Sequence, residues 1–230
     1  MDVIHLIVTA TLSIIFIILF IIVPLYKSKA GKSKDWYHKK LTLMYFGCLG
    51  AGFIIFELVF IQIFMKLIGS PLYTYASIVF ILLLSAGIGS YSSKKLKISL
   101  EEQWYIPFIG IIFFAFIIIL IHSYIFSIFL ASPILIRIIV SAVLISPLGF
   151  FLGMPFPLGI LAAEVQPEGA IAWAWGLNGL FTVVGGFLSV ILSIFFGFVI
   201  TLIVSIVIYT LAFLIFSQIR FSKQYFLNID

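Results

Sequence analysis

The chain has 230 residues, of which 64% are apolar and only 9% are charged, with a mean hydropathy of +1.34. A water-soluble domain is excluded, because so few polar side chains cannot clothe its surface. The net charge of +5 does not mark a nucleic-acid binder either: the basic residues stand in short stretches beside apolar runs, with no soluble face to bind on.

Seven apolar runs of roughly 18 to 28 residues consume most of the chain, each long enough to cross about 30 Å of hydrocarbon. They predict an all-α polytopic transmembrane bundle, one integral membrane domain over 1–230. Lipid offers no partner to a free peptide group, and the runs lack the alternation of a membrane barrel. The first, about 3–26, has no basic region ahead of it and exceeds a signal peptide's apolar core, so it reads as a retained span. The second and third, about 41–67 and 72–90, flank a Gly69-Ser70-Pro71 break and predict an antiparallel pair. The remaining four are about 106–126, 134–163, 170–196 and 199–219, the last two meeting at Gly197. The stretch from Glu164 to Ile171, with two acids and no Lys or Arg, makes the fifth-to-sixth boundary the least sharply marked.

Basic loops resist translocation, so Lys and Arg beside span ends set the orientation. Six lie in 27–40; Lys94, Lys95 and Lys97 lie in 91–104, and Arg220 and Lys223 in the tail. With seven spans, eleven of the thirteen fall on one side. The N-terminus is then outside and the C-terminus cytoplasmic, in the inner membrane of a prokaryotic cell. Lys66 and Arg137 fall near outer span ends, where long side chains reach water. Trp36, Trp104 and Tyr105 fall at inner boundaries, as interfacial aromatics do.

Glu57 is the one carboxylate in the middle of an apolar run, where it costs several kcal/mol unless it faces protein or water. Such an acid can bind and release a proton or cation during transport; it can also simply pin helix register. Gly50 lies seven residues earlier on the same face, where a neighbouring helix can come close. At 1.5 Å per residue, Glu57 lies about 16 Å below the outer boundary and Arg137 about 6 Å, a gap that two extended side chains just span. Lys66 and His122 join Arg137 as a candidate cationic vestibule. In the sixth span Asn178, Thr182, Gly185 and Ser189 recur at helical spacing and form one small, polar stripe, suited to helix contacts or to a substrate path. Near its inner end, Trp173 and Trp175 read as interface anchors or a stacking wall.

Gly153-Met154-Pro155-Phe156-Pro157-Leu158-Gly159 predicts a bend or break in the fifth span, because two prolines remove helical donors. Gly153, Pro155, Pro157 and Gly159 are therefore candidates for a helix break or gate, since broken helices expose carbonyls from which transporters build sites. No phosphate-binding loop, H-E-x-x-H or Gly-x-Ser-x-Gly elbow occurs, and the single Cys48 sits in an apolar run. We assign no catalytic residue, no metal ligand and no cofactor on this evidence.

These motifs together resemble the membrane part of spermidine-synthase-like (polyamine aminopropyltransferase-like) proteins. The likeness rests on Gly50-Ala51-Gly52-Phe53, the run from Phe56-Glu57 to Gln62, Gly69-Ser70-Pro71-Leu72-Tyr73 and Leu84-Ser85-Ala86-Gly87-Ile88-Gly89-Ser90. The Gly-Met-Pro-Phe-Pro-Leu-Gly segment, Ala172-Trp173-Ala174-Trp175-Gly176-Leu177-Asn178-Gly179 and the Phe-Gly-Phe turn at 196–198 extend it over about residues 41–200. In larger members such a region accompanies a soluble S-adenosylmethionine-type domain. None of that domain's nucleotide- or polyamine-binding acids has a matching position here, so aminopropyl transfer does not carry over. Glu57, Gln62 and the two later segments carry over as landmarks.

Two readings follow. In one, the chain is a carrier for a small cationic or amphipathic, polyamine-like metabolite, with Glu57, Gln62, Asn178, Thr182 and Arg137 as substrate- or ion-binding candidates. In the other, it is a non-catalytic scaffold that docks a separately encoded soluble synthase-like subunit on the basic segments 27–40 and 91–104. Besides the lipid bilayer, a homo-oligomer is a further expected partner, because seven spans give no inverted repeat and Glu57 has no second copy.

Overall fold

The computed structural model of the protein describes residues 23–28, 36–96, 98–100 and 102–220, with isolated positions ahead of residue 23. Its regular structure is entirely helical, with no strand among the described residues. Helices α1 (Val23–Lys27), α2 (Lys39–Ile68), α3 (Pro71–Lys95), α4 (Ile106–Phe129), α5 (Ile134–Leu152), α6 (Pro155–Ala163), α7 (Ala170–Phe196) and α8 (Phe198–Ile219) follow in order. Six helical stretches are long and apolar enough to cross a membrane, α5 and α6 counting together as one. The expected first span falls outside the described residues except for its last turn, α1. The other six expected spans each have such a helical stretch among the described residues, as a multi-pass membrane protein requires.

α2 is the hub, in contact with each of α3 to α8. Its buried residues recur in pairs every four positions, Ile55 and Phe56, Val59 and Phe60, Ile63 and Phe64, which is the stripe a helix presents when neighbours cover most of its circumference. Aromatic rings fill that centre: Phe56 against Tyr209, Phe64 against Phe126, and Tyr45 against Phe108 and Phe216. Lipid is as apolar as these side chains, so burial as such drives little; close packing and interhelical hydrogen bonds hold the helices.

Small residues allow that packing. A Cβ on Gly50 would strike the backbone of Asn178, and one on Gly185 would come within 2.7 Å of Ala51 Cα, so α2 and α7 lie nearly backbone to backbone. α3 and α5 do the same through Gly89 against Phe150, Gly153 against Ala86, and Gly149, whose Cβ would sit 2.9 Å from that of Ser85. Side chains then tie helices to one another's carbonyls. Asn178 Nδ2 donates to Phe46 O (3.1 Å), Ser205 to Gly52 O (2.8 Å), and Tyr45 Oη to Pro155 O (2.6 Å). Each such bond contributes about 1 kcal/mol.

The helices alternate in direction and give the bundle two unlike ends. Lys39, Lys40, Lys95 and Arg220 gather at one, where Arg220 donates to Leu100 O at 3.1 Å and lies 4.6 Å over the Trp104 ring. At the other, Arg137 Nη1 donates to Leu67 O and Ile68 O (3.0 and 3.2 Å). Gly69 closes α2 there with φ +84°, a left-handed conformation that a Cβ would strain, and Pro71 opens α3. Trp36 is buried with Leu43 and Ala170.

Candidate functional site

Among the described residues, the neighbours of α2 form a ring with one opening. α3 packs on α2 and α5, and α7 on α2, α6 and α8, which leaves α3 and α7 as the two banks of a cleft. The cleft holds a cavity of about 360 Å³. Gly50 and Phe53 line it from α2, Leu83, Ala86, Gly87 and Ser90 from α3, and Asn178 and Thr182 from α7. Leu152, Gly153 and Phe156 line it at the junction of α5 and α6, and Leu49 from α2 and Tyr209 from α8 complete the wall.

That junction is a local consequence of its sequence. α5 stops at Leu152 and α6 restarts at Pro155, bridged by Gly153 N–H to Gly149 O and Met154 N–H to Phe151 O, both 3.2 Å. Pro157 has no N–H, so the Gly153 carbonyl loses the donor it would have four residues on, in a residue that lines the cavity. Pro155 is buried and its carbonyl receives the Tyr45 hydroxyl. Gly159 makes room for the Tyr45 and Phe46 rings, against which a Cβ would fall at 2.5 and 2.8 Å. Of the four expected break residues, Gly153 reaches the cavity; the other three shape and anchor the restart.

The structure brings together Gly50, Asn178, Thr182 and Gly153, which are far apart in sequence. Asn178 and Thr182 also serve the fold: the Asn178 amide holds Phe46 O, and Thr182 Oγ1 donates to Asn178 O at 3.0 Å. Glu57 is half-buried on the same face of α2 as Gly50 and Phe53, one turn past Phe53 and about 6 Å farther along the axis. It stands beyond the cavity's lining residues, on the way from the cleft to the opposite end. Gln62 lies farther along α2, also half-buried.

Each of the three candidate cations has a partner other than Glu57. Arg137 spends its Nη1 on the last carbonyls of α2, where a cation also meets the negative end of the helix dipole. Lys66 Nζ lies 5.7 Å from the Phe198 ring centroid, and His122 Nδ1 lies 3.0 Å from both Ile118 O and Ile119 O of its own helix. In the polar stripe of α7, Gly185 and Ser189 are buried in helix packing. Trp175 is exposed and edge-on to Phe156 (4.9 Å), whereas Trp173 packs on the Trp36 cluster. Cys48 lies on another side of α2, at a small apolar cavity with Met44, Phe181 and Ile208. Among the described residues, no group of three His, Cys, Asp or Glu could hold a metal ion.

Sequence reasoning did not single out Phe53, Leu83, Gly87, Ser90 or Phe156 as lining residues. The signal for α3 was present: Ser85-Ala86-Gly87-Ile88-Gly89-Ser90 is a small-residue run in an otherwise bulky span. Which of these residues pack and which stay open depends on where α5 lies. No family model, curated protein or solved structure matches the chain.

Proposed function

We propose that the chain is a membrane carrier for a small amphipathic molecule, which binds in the cleft between α3 and α7 and crosses past Glu57. One observation supports this above the others: the only interruption of a span among the described residues, between α5 and α6, forms part of the wall of the cleft. A carbonyl without a helical donor, an adjoining amide and hydroxyl, and apolar walls suit a ligand with one polar end. In this reading Glu57 takes up and releases a proton or cation as the cargo passes, and the junction at Gly153–Met154 is the hinge. Arg137 holds the far end of α2 through its last carbonyls. The basic end lies in the cytoplasm, in the inner membrane of a prokaryotic cell.

The test is movement across proteoliposomes at matched protein density, with radiolabelled spermidine as a cationic cargo and a fluorescently labelled phospholipid as an amphipathic one. Wild type moves at least one of them, and Glu57→Gln lowers that rate at least about tenfold with its thermal unfolding unchanged. If both proteins insert and unfold alike and neither moves either cargo, the carrier reading is wrong. The concentration of Lys39, Lys40, Lys95 and Arg220 at one end supports a second reading, a scaffold for a soluble synthase-like subunit. Stoichiometric co-purification of such a subunit, lost when these charges are reversed, would favour it.

A further inference from the structure

The cleft does not end where Asn178 and Thr182 line it. A second groove of about 560 Å³ continues along α3, lined by Gly87, Ser90, Tyr91 and Lys95, and shares Gly87 and Ser90 with the first. The combined trough runs from Leu83 to Lys95, about 18 Å along the helix axis at 1.5 Å per residue. One leaflet of hydrocarbon is about 15 Å deep, half of the roughly 30 Å core. The trough thus begins at mid-membrane among Leu83, Phe53 and Leu152 and finishes at the basic end of the bundle.

Its chemistry changes along that length. The deep part is mostly apolar along Phe53, Leu83, Leu152 and Phe156, with Asn178 and Thr182 confined to its α7 wall. The shallow part carries the Ser90 hydroxyl, the exposed Tyr91 and the exposed Lys95, whose Nζ lies 4.8 Å from the Tyr91 ring centroid. A cation held at headgroup depth over an apolar slot open to the bilayer complements an anionic amphiphile. Gly87, at the point where the two parts join, has no described atom within 4 Å of its Cβ position, in contrast to Gly89 two residues on, which is pressed against Phe150. Among the described residues, the slot is therefore unfilled by helix packing.

From this geometry we infer that the α3–α7 trough binds one membrane lipid with an anionic phosphate headgroup, the phosphate at Lys95, Tyr91 and Ser90 and an acyl chain in the cleft beside Phe53 and Phe156. As the cargo of the carrier proposed above, this lipid rests on that reading; as a bound ligand it does not.

The experiment measures lipid retained by the purified full-length protein. Protein in detergent is incubated with an equimolar mixture of phosphatidylglycerol and phosphatidylcholine of identical chains, washed, and analysed by quantitative mass spectrometry. We expect about one phosphatidylglycerol per chain, at least about tenfold over phosphatidylcholine. Lys95→Glu should remove that preference, and Gly87→Phe should abolish retention of both lipids by filling the slot, each without loss of thermal stability. Equal retention of the two lipids, or a preference unmoved by Lys95→Glu, overturns the proposal. So does displacement of the bound lipid by millimolar inorganic phosphate, which would mark a phosphate site rather than a lipid site. Crosslinking of Gly87→Cys, in a Cys48→Ala background, to a second copy or to residues ahead of Val23 would make the cleft a protein interface and equally overturn it. Selective binding without Glu57-dependent movement in the liposome assay sinks the carrier and leaves the lipid site standing; the converse result sinks only the lipid site.

Discussion

Glycines in the spans divide into two kinds that only their neighbours distinguish. Gly153 meets the backbone of Ala86, and Gly50 that of Asn178, so an added methyl must push two helices apart. Among the described residues, Gly179 has no atom within 4 Å of its Cβ position. Gly153→Ala should therefore destabilise the protein by about 1–3 kcal/mol through overpacking, whereas Gly179→Ala should be neutral or stabilising by up to about 1 kcal/mol. Thermal unfolding in one detergent compares them directly, and equal effects would contradict the packing described. Arg137 illustrates the same dependence for a charge. Its position near a span end is legible in the sequence, but its partner is not: its Nη1 serves the last carbonyls of α2 rather than Glu57. Arg137→Met should cost about 1–3 kcal/mol, as loss of a donor to buried carbonyls does, and should lower cargo movement only as far as it lowers the amount of folded protein.

The α5–α6 break belongs to the element scale. Two prolines in three positions announce an interruption, and the structure places it between Leu152 and Pro155. What the prolines do not announce is the use of the freed end, in which Tyr45 reaches from α2 to the Pro155 carbonyl and fixes where α6 restarts. Pro157→Ala should return a donor to the Gly153 carbonyl and extend regular helix across the junction. Hydrogen exchange of the amides of Gly153, Met154, Phe156 and Leu158 should slow in this variant while cargo movement falls, if the junction is a hinge. Faster exchange, or unchanged exchange with unchanged transport, would show that the break is a fixed kink. Tyr45→Phe removes the anchor without adding bulk, and it should speed exchange in α6 more than in α3.

At the scale of the whole molecule, the distinctive feature is the open side of the ring around α2. α3 and α7 are kept apart because each is committed elsewhere, α3 to α5 through Ser85, Ala86 and Gly89, and α7 to α2 through Asn178 and Gly185. Among the described residues, the cleft between them follows from packing on both sides. A flexible bismaleimide joining Leu83→Cys to Thr182→Cys, in a Cys48→Ala background, should tie the banks together and stop cargo movement. The same reagent applied to either single-cysteine variant should leave movement intact, and transport that survives the double-cysteine crosslink would show that cargo does not use this cleft.

The sequence by itself determined the class of the molecule, its helical spans, the alternation of their directions and the gathering of basic residues at one end. Each depends on composition summed over 20 or so residues and on the cost of an unpaired peptide group in lipid, which neighbouring helices do not alter. Tertiary structure alone decided that α2 is the hub, that Gly50, Gly153, Asn178 and Thr182 meet at one cavity, and that Arg137 and Glu57 do not pair. In lipid, apolar residues give no directional signal for which helix packs on which. The choice rests on small-residue approaches and single hydrogen bonds between positions as far apart as Gly52 and Ser205 or Phe46 and Asn178, pairs that exist only once the bundle has assembled.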